Sequence, residues 1–312
     1  MNAADARIFF HVAETLSFKH AAERLSMSRS AVSKRVAQLE RELGTALINR
    51  TPRSISLTEA GKTLREHCRD IERAVEAAED AVKDQDREPI GVVLLSMPTS
   101  FGAALMPMLM TDFERRYPQV TLSAHFSEPF VDVVSGGYDV VFRVAQKLTD
   151  SSLVAQRLSV SPKVLVAAPA YLDAHGTPVH VRELKKHRCL GLGYGSENRT
   201  QWRFSGPAGP IDVPIRYAFT ANNDLGLNLA ACLGAGFLYT AEVLVSSELA
   251  RGRLKVVLPE FCQGLEYGVF AIYPQKRPPA KVRVLIGFVK QRLPTLHEHD
   301  RWAPLNYESG RR

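Results

Sequence analysis

The sequence predicts an α/β chain with an N-terminal winged helix-turn-helix, a long polar linker helix, and then a larger region of alternating strands and helices. Three observations predict it. The first 58 residues carry three short helical apolar patterns, then two short alternating runs around Pro52. Within residues 59–88, apolar positions repeat at steps of four and three from Leu64 to Val82. From residue 89 onward, strand-length apolar runs alternate with helical patterns to about residue 294. At 312 residues and 45% hydrophobic content, the chain can form two or three domains.

The first helix is "ARIFFHVAETL". In the second, Ser17 stands as an N-cap and Ala21, Ala22 and Leu25 form a core face. Ser26 to Ser28 make a tight turn, and the third helix follows, so the spacing reads as a helix-turn-helix. Its apolar stripe is Val32, Val36, Leu39 and Leu43, which leaves Ser30, Ser33 and Lys34 outward with Arg29 near the N-terminal end. Small hydroxyl side chains beside long basic ones suit a helix that enters a major groove, where the backbone must come close and charge must reach phosphate and base edges. An ordinary solvated helix face is the competing reading of that helix taken alone. "LINRTPRSISLTEAG" places Arg50 and Arg53 around Pro52, a basic-tipped wing that can follow the DNA backbone or enter a narrow minor groove. Charge distribution agrees: residues 1–65 hold 11 Lys/Arg against 6 Asp/Glu.

In the linker helix, Leu64, Cys68, Ile71, Val75, Ala78 and Val82 form a heptad seam. Residues 66–90 hold 4 basic against 9 acidic residues, and a lone helix this polar needs a partner. The expected partner is the same helix of a second subunit; packing onto its own chain is the alternative.

Residues 9–64 resemble the N-terminal domain of LysR-type transcriptional regulators. The matching pieces are Ser17-Phe18, Ala21-Ala22 before Leu25, Ala31-Val32-Ser33, Leu39-Glu40, Leu43-Gly44, Arg50 and Leu57-Thr58-Glu59-Ala60-Gly61. Arg29-Ser30 stand where many members carry Gln-Pro. The similarity runs on, more loosely, to about residue 293. It implies a two-lobed α/β effector-binding domain like a periplasmic binding protein, a palindromic double-stranded DNA operator, a small-molecule effector, a homodimer or homotetramer, and RNA polymerase as a further partner.

The second half reads as strand "IGVVLLSMP", helix "LMPMLMTDFERRYP", strand "QVTLSAHF", helix "EPFVDVVSGG" and strand "YDVVFRV". A second series runs from "KVLVAAPAYL" to "KVRVLIGFVKQRL". Such alternation implies mainly parallel sheets covered by helices. With the resemblance, residues 89–161 and 266–294 form lobe I, residues 162–265 lobe II, and residues 295–312 a C-terminal tail. Ligands of open α/β sheets sit beyond the strand ends. Thr99 and Ser100 follow the first strand, Ser127 ends another, Arg143 a third, and Asn222-Asn223 a fourth. The resemblance places effector contacts there. Ser100 as a helix cap, together with Arg143, points to a polar, anionic ligand. Two alternatives remain: an Arg143–Asp139 ion pair and helix capping by the asparagines. Trp202 and Tyr194 line the cleft or belong to the core.

Other classes find little support. "AGKT" at Ala60–Thr63 mimics a phosphate loop, but Ser56 stands where its first glycine belongs. "GLGYGSENR" is no nucleophile elbow and "GAGFLY" lacks a third glycine, so no enzyme and no cofactor is expected. His297-Glu298-His299 is read as solvated tail and not as a metal site. Cys68, Cys189, Cys232 and Cys262 form no Cys-x-x-Cys pair and are read as reduced thiols, with a redox pair as the alternative. With no signal-peptide pattern and no membrane span, a cytoplasmic protein is expected, and a transport binding protein is disfavoured.

Overall fold

The computed structural model describes residues 1–50, 55–82, 88–129, 131–148, 153–193, 199–207, 209–274 and 277–296. The chain folds as an N-terminal unit followed by a larger α/β unit.

The N-terminal unit is built from α1 (Ala3–Thr15), α2 (Phe18–Arg24), α3 (Arg29–Leu43), the antiparallel pair β1 (Ile48–Arg50) and β2 (Ile55–Leu57), and α4 (Glu59–Val82). Each of the first three helices starts on a side-chain cap. Asn2 forms a capping box with Asp5, Ser17 accepts from His20 N–H at 3.3 Å, and Ser28 accepts from Ala31 N–H at 3.1 Å. Between α2 and α3, Ser26 adopts a positive φ of 52°. Phe9, Val12, Ala21, Val32, Val36, Leu39 and Leu47 close one core. Leu43, expected in that stripe, is 43% exposed: it is the last residue of α3, where Gly44 turns the chain away from the core.

The α/β unit has one mixed sheet in the order β4-β3-β5-β12-β6-β10-β7-β9-β8, with β11 on β6. Its strands are β3 (Gly91–Met97), β4 (Val120–Phe126), β5 (Val140–Ala145), β6 (Val154–Ala167), β7 (Cys189–Leu192), β8 (Arg199–Phe204), β9 (Ile211–Ala221), β10 (Phe237–Ala241), β11 (Lys255–Val256) and β12 (Glu266–Tyr273). Its helices are α5 (Thr99–Met108), α6 (Glu114–Arg116), α7 (Pro169–His175), α8 (Asp224–Cys232), α9 (Ser246–Ala250) and α10 (Ala280–Arg292). Parallel pairing is confined to β3 with β4 and β5, and β7 with β10 and β9. The expectation of mainly parallel sheets is therefore corrected. β6 runs out of one lobe into the other and β12 returns against it, so the central strands are antiparallel to their neighbours.

β6 pairs with β12 as far as Pro162 and with β10 from Lys163. The lobes are the two sides of that change. One core gathers Leu95, Phe101, Phe113, Phe142 and Phe288; the other gathers Leu165, Tyr171, Phe204, Phe237 and Leu227. Trp202 is 6% exposed and belongs to the second core, its indole N–H donating to Tyr217 Oη at 3.2 Å. Tyr194 lies outside the described residues.

Two expected helices differ. α5 starts at Thr99, six residues before the pattern that suggested it, and contains Pro107. A proline has no N–H to give the preceding turn, and after it the helix widens into a π turn over Leu109–Phe113 before α6. Among the described residues of 128–137 the expected helix is absent. Pro129 and the positive φ of Gly137 (70°) break its periodicity, and a reverse turn over residues 133–137 stands there instead. The four thiols are free. Burial pushes the Cys68 thiol up to about 11 and Cys189 up to about 12.

Candidate nucleic-acid interface and ligand cleft

α3 presents Arg29, Ser30 and Lys34 to solvent, with Ser33 half-buried beside them. Ser30 Oγ lies 3.0 Å from the capping hydroxyl of Ser28, so this serine also helps to set the start of the helix. The neighbouring Arg35 is also exposed but is paired with Asp5, with N···O at 3.4 Å. Arg29, Ser30, Lys34 and Gln38 are exposed beside it.

Glu40 holds the wing to this helix. Its Oε1 accepts the N–H groups of Leu47 at 2.9 Å and Ile48 at 3.1 Å, at the start of β1. Thr58 ties the other end, its hydroxyl donating to Ala46 O at 2.7 Å and accepting from Gly61 N–H at 3.0 Å. These two residues carry the geometry of the module, and the sequence pattern showed them only as motif letters. Arg50 lies on β1, while Arg53, expected at the wing tip, lies outside the described residues.

Along α4 the seam divides. Cys68 is fully buried in the core of its own module, and Leu64 and Ile71 pack against that core. This corrects the assignment of Cys68 to a subunit seam, since α1 packs on that part of α4, while Leu64 and Ile71 stay partly exposed. Glu72 fixes the docking through Arg7 (2.7 Å) and His11 (3.6 Å). Burial works to raise the Glu72 carboxyl, but its bonds to His11 and Arg7 outweigh this and hold it below the usual range. Val75 is half-buried further along, and the side chains of Ala78 and Val82 lie outside the described residues.

In the α/β unit two of the predicted ligand residues, Thr99 and Asn223, meet across the lobes. Asn223 Oδ1 accepts from Gly226 N–H at 3.0 Å and so caps α8, while its Nδ2 donates to Thr99 Oγ1 at 3.0 Å on the other lobe. The capping alternative thus holds for Asn223, alongside a bridging role. Asn222 is exposed. Ser100 is not the cap of α5: Pro98 holds that position, and Ser100 sits one turn-position inside with its hydroxyl buried and unbonded among the described residues. Ser127 Oγ donates to Pro129 O at 3.3 Å. Arg143 is 2% exposed and donates to Phe142 O at 3.0 Å and Pro129 O at 2.9 Å, so it shapes the turn after β4. Burial lowers its pKa, opposed by the charge of Glu128.

Sequence reasoning missed two carboxyls here. Glu128 accepts the Thr99 N–H at 3.0 Å, so the chain fills with its own carboxylate the place expected for a ligand anion. Asp224, on the first turn of α8, faces Glu128 and is pushed up to about 7 by burial, then by the charge and hydrogen bond of Glu128. Their adjacency to Ser127 and Asn223 was visible; their meeting across the lobes required the tertiary fold.

A family model described as "Bacterial regulatory helix-turn-helix protein, lysR family" matches residues 4–62, and one described as "LysR substrate binding domain" matches residues 86–294. The chain belongs to the LysR family. LysR-type relatives match over nearly its whole length. An HTH-type transcriptional regulator of Xanthomonas campestris is 34% identical, over 93% of this chain and 85% of that protein. The regulator CrgA of Neisseria meningitidis is 32% identical, over 94% of this chain and 97% of its own. The solved structure of CrgA, a LysR-type transcriptional regulator, superposes with a TM-score of 0.60 at 33% identity, covering 94% of this chain and 99% of that one. The chain is thus a LysR-type transcriptional regulator with a helix-turn-helix DNA-binding domain and an effector-binding domain. Among the described residues no helix is long and apolar enough to cross a membrane.

Proposed function

We propose that two copies of the chain place their α3 helices in successive major grooves of a palindromic operator, and that a small polar molecule held between the lobes changes that binding. The chain acts by binding alone, without catalysis, in the cytoplasm and in concert with RNA polymerase. The observation that supports it most is the exposed Arg29–Ser30–Lys34 row on a capped helix braced by Glu40 to a wing. Arg50 and Arg53 would add backbone and minor-groove contacts from the wing. Residues 1–58 form the DNA module, residues 59–88 the linker, and the lobes divide at residues 162 and 265.

The test is operator binding measured against random DNA over a range of salt. Each phosphate neutralised contributes a slope of about −0.9 in log affinity against log salt. Lys34→Ala is expected to cost about 1–3 kcal/mol on the operator and much less on random DNA. Equal losses on both would remove Lys34 from base reading.

We assign assembly to the later part of the α4 seam. Val75, Ala78 and Val82 continue the seam beyond the stretch covered by α1, and they are the residues we assign to the partner subunit. Val75→Asp is expected to lower the sedimenting mass at micromolar concentration, since an unpaired buried charge costs several kcal/mol. An unchanged mass would place the partner surface elsewhere.

In the cleft, Thr99, Ser100, Ser127, Asn222 and Asn223 offer hydroxyls and amides to the effector, with Arg143 supporting the turn. An anionic effector has to displace Glu128 from the Thr99 amide; a neutral or hydroxylated one does not.

A further inference from the structure

At the point where β6 passes from one lobe to the other, a cavity of about 390 Å³ opens beside Lys163. Lys163 pairs with Ala241 of β10, and its amide donates to Leu265 O at 2.8 Å, just before β12. Its amine sits 3.9 Å over the ring of Tyr239 and 5.8 Å from that of Tyr267. No carboxylate among the described residues pairs with it. Glu242 and Glu266 also line the cavity, but both are exposed at its rim. Val256, Pro259 and Leu265 supply the apolar part of its lining, beside Gln263 and Cys262.

An ammonium in this setting loses water and gains only ring faces and a neutral thiol. Burial therefore pushes the Lys163 amine down to about 8, with Cys262 acting weakly the other way. Burial raises the thiol in turn, so it stays protonated at neutral pH. A desolvated lysine without a counter-ion is a nucleophile, and this is how imine-forming lysines are made.

We propose that this cavity is a second ligand site, separate from the Thr99–Asn223 contact, in which Lys163 condenses reversibly with a small aldehyde or ketone bearing an apolar body. The nitrogen lone pair adds to the carbonyl carbon. One amine proton moves to the oxygen to give the carbinolamine, which then loses that hydroxyl and the remaining N–H proton as one water, leaving a C=N bond to Nζ. No oxidant or further reactant is needed. A neutral carbonyl compound passes the acidic rim, whereas an anion is repelled by it. Because Lys163 stands where β6 changes partners, the adduct forms at the crossover between the lobes.

The probe is butanal, added to the full-length protein and trapped with borohydride, with the modified lysines located by peptide mass spectrometry. Relative to an ordinary lysine, an amine titrating near 8 has on the order of a hundredfold more neutral form at pH 7. After allowance for restricted access, Lys163 is expected to be labelled at least about tenfold faster than the other lysines, with a rate that levels off above pH 8. Lys163→Arg is expected to lose the fast site. Val256→Trp, which fills the cavity and keeps the amine, is expected to slow it. In urea the preference is expected to vanish. Even labelling of the folded protein, or fast labelling of Lys163 that persists in Val256→Trp, overturns the proposal.

Discussion

Gly61→Ala is expected to abolish operator binding by unseating α4, while the two-lobed domain stays folded. Gly61 lies in the first turn of α4, where the helix crosses the start of the wing. A Cβ built on it would lie 2.0 Å from the carbonyl oxygen of Leu47 and 3.0 Å from its carbonyl carbon. That oxygen is fixed, because it accepts the Thr58 N–H at 3.0 Å, and Leu47 itself is 1% exposed. Neither side can yield without breaking the Thr58 cap or the Glu40 clamp. Overpacking of a well-packed core costs about 1–3 kcal/mol where side chains can adjust, and more where backbone is struck. A module of this size has little stability to spare. Both tryptophans, Trp202 and Trp302, lie outside the module. The variant should therefore lose helix signal at a lower temperature by circular dichroism while the tryptophan fluorescence transition stays in place. Unchanged DNA affinity and a single unchanged transition would show that α4 can shift along the wing without cost.

The position of Gly61 also shows how much the sequence tells and where it stops. The Leu57-Thr58-Glu59-Ala60-Gly61 run marked the end of the wing and the start of a helix. What it could not show is that the glycine is required by a carbonyl fourteen positions earlier. Local signals carried the first 65 residues well, because caps, turns and apolar stripes there act within a few residues of one another. Ser17 and Ser28 cap where hydroxyls before a stripe should. The seam of α4 failed at Cys68 for a related reason: a heptad pattern states that a face is apolar, not which surface covers it, and at Cys68 that surface is the chain's own core. In the lobes, strand positions were legible from apolar runs, but their directions were not. β6 and β12 are central and antiparallel because the chain passes between lobes on them, a topological fact with no local mark. The residues expected to meet a ligand lie near strand ends, as apolar runs and their boundaries suggested. Glu128 and Asp224 were passed over because an acid beside a serine or an asparagine looks like surface until the fold sets the two face to face.

That pair sets the last expected result: the two-lobed domain loses stability as pH rises towards 7, and Asp224→Asn removes most of the loss. Burial, then the neighbouring Glu128, raise the Asp224 carboxyl from 3.8 to about 7 in the folded chain. A carboxyl whose folded value is raised holds its proton more tightly folded than unfolded. Its favourable contribution is complete below the unfolded value and disappears as pH rises through the folded one, so the window lies between about 4 and about 7. Within it, one extra proton on the folded side gives a slope of at most about 1.4 kcal/mol per pH unit. The proton is the one that lets two carboxyls share a hydrogen bond across the lobes. Without it, two half-buried carboxylates face each other, leaving Asn223 and Thr99 to hold the lobes there. An asparagine at position 224 donates to Glu128 at every pH, so the thermal midpoint followed by tryptophan fluorescence should be nearly level from pH 4.5 to 8, where the parent falls. Parallel decline of parent and variant would move the pH response away from this pair. A level parent would show that the two carboxyls part in solution and that each is separately hydrated.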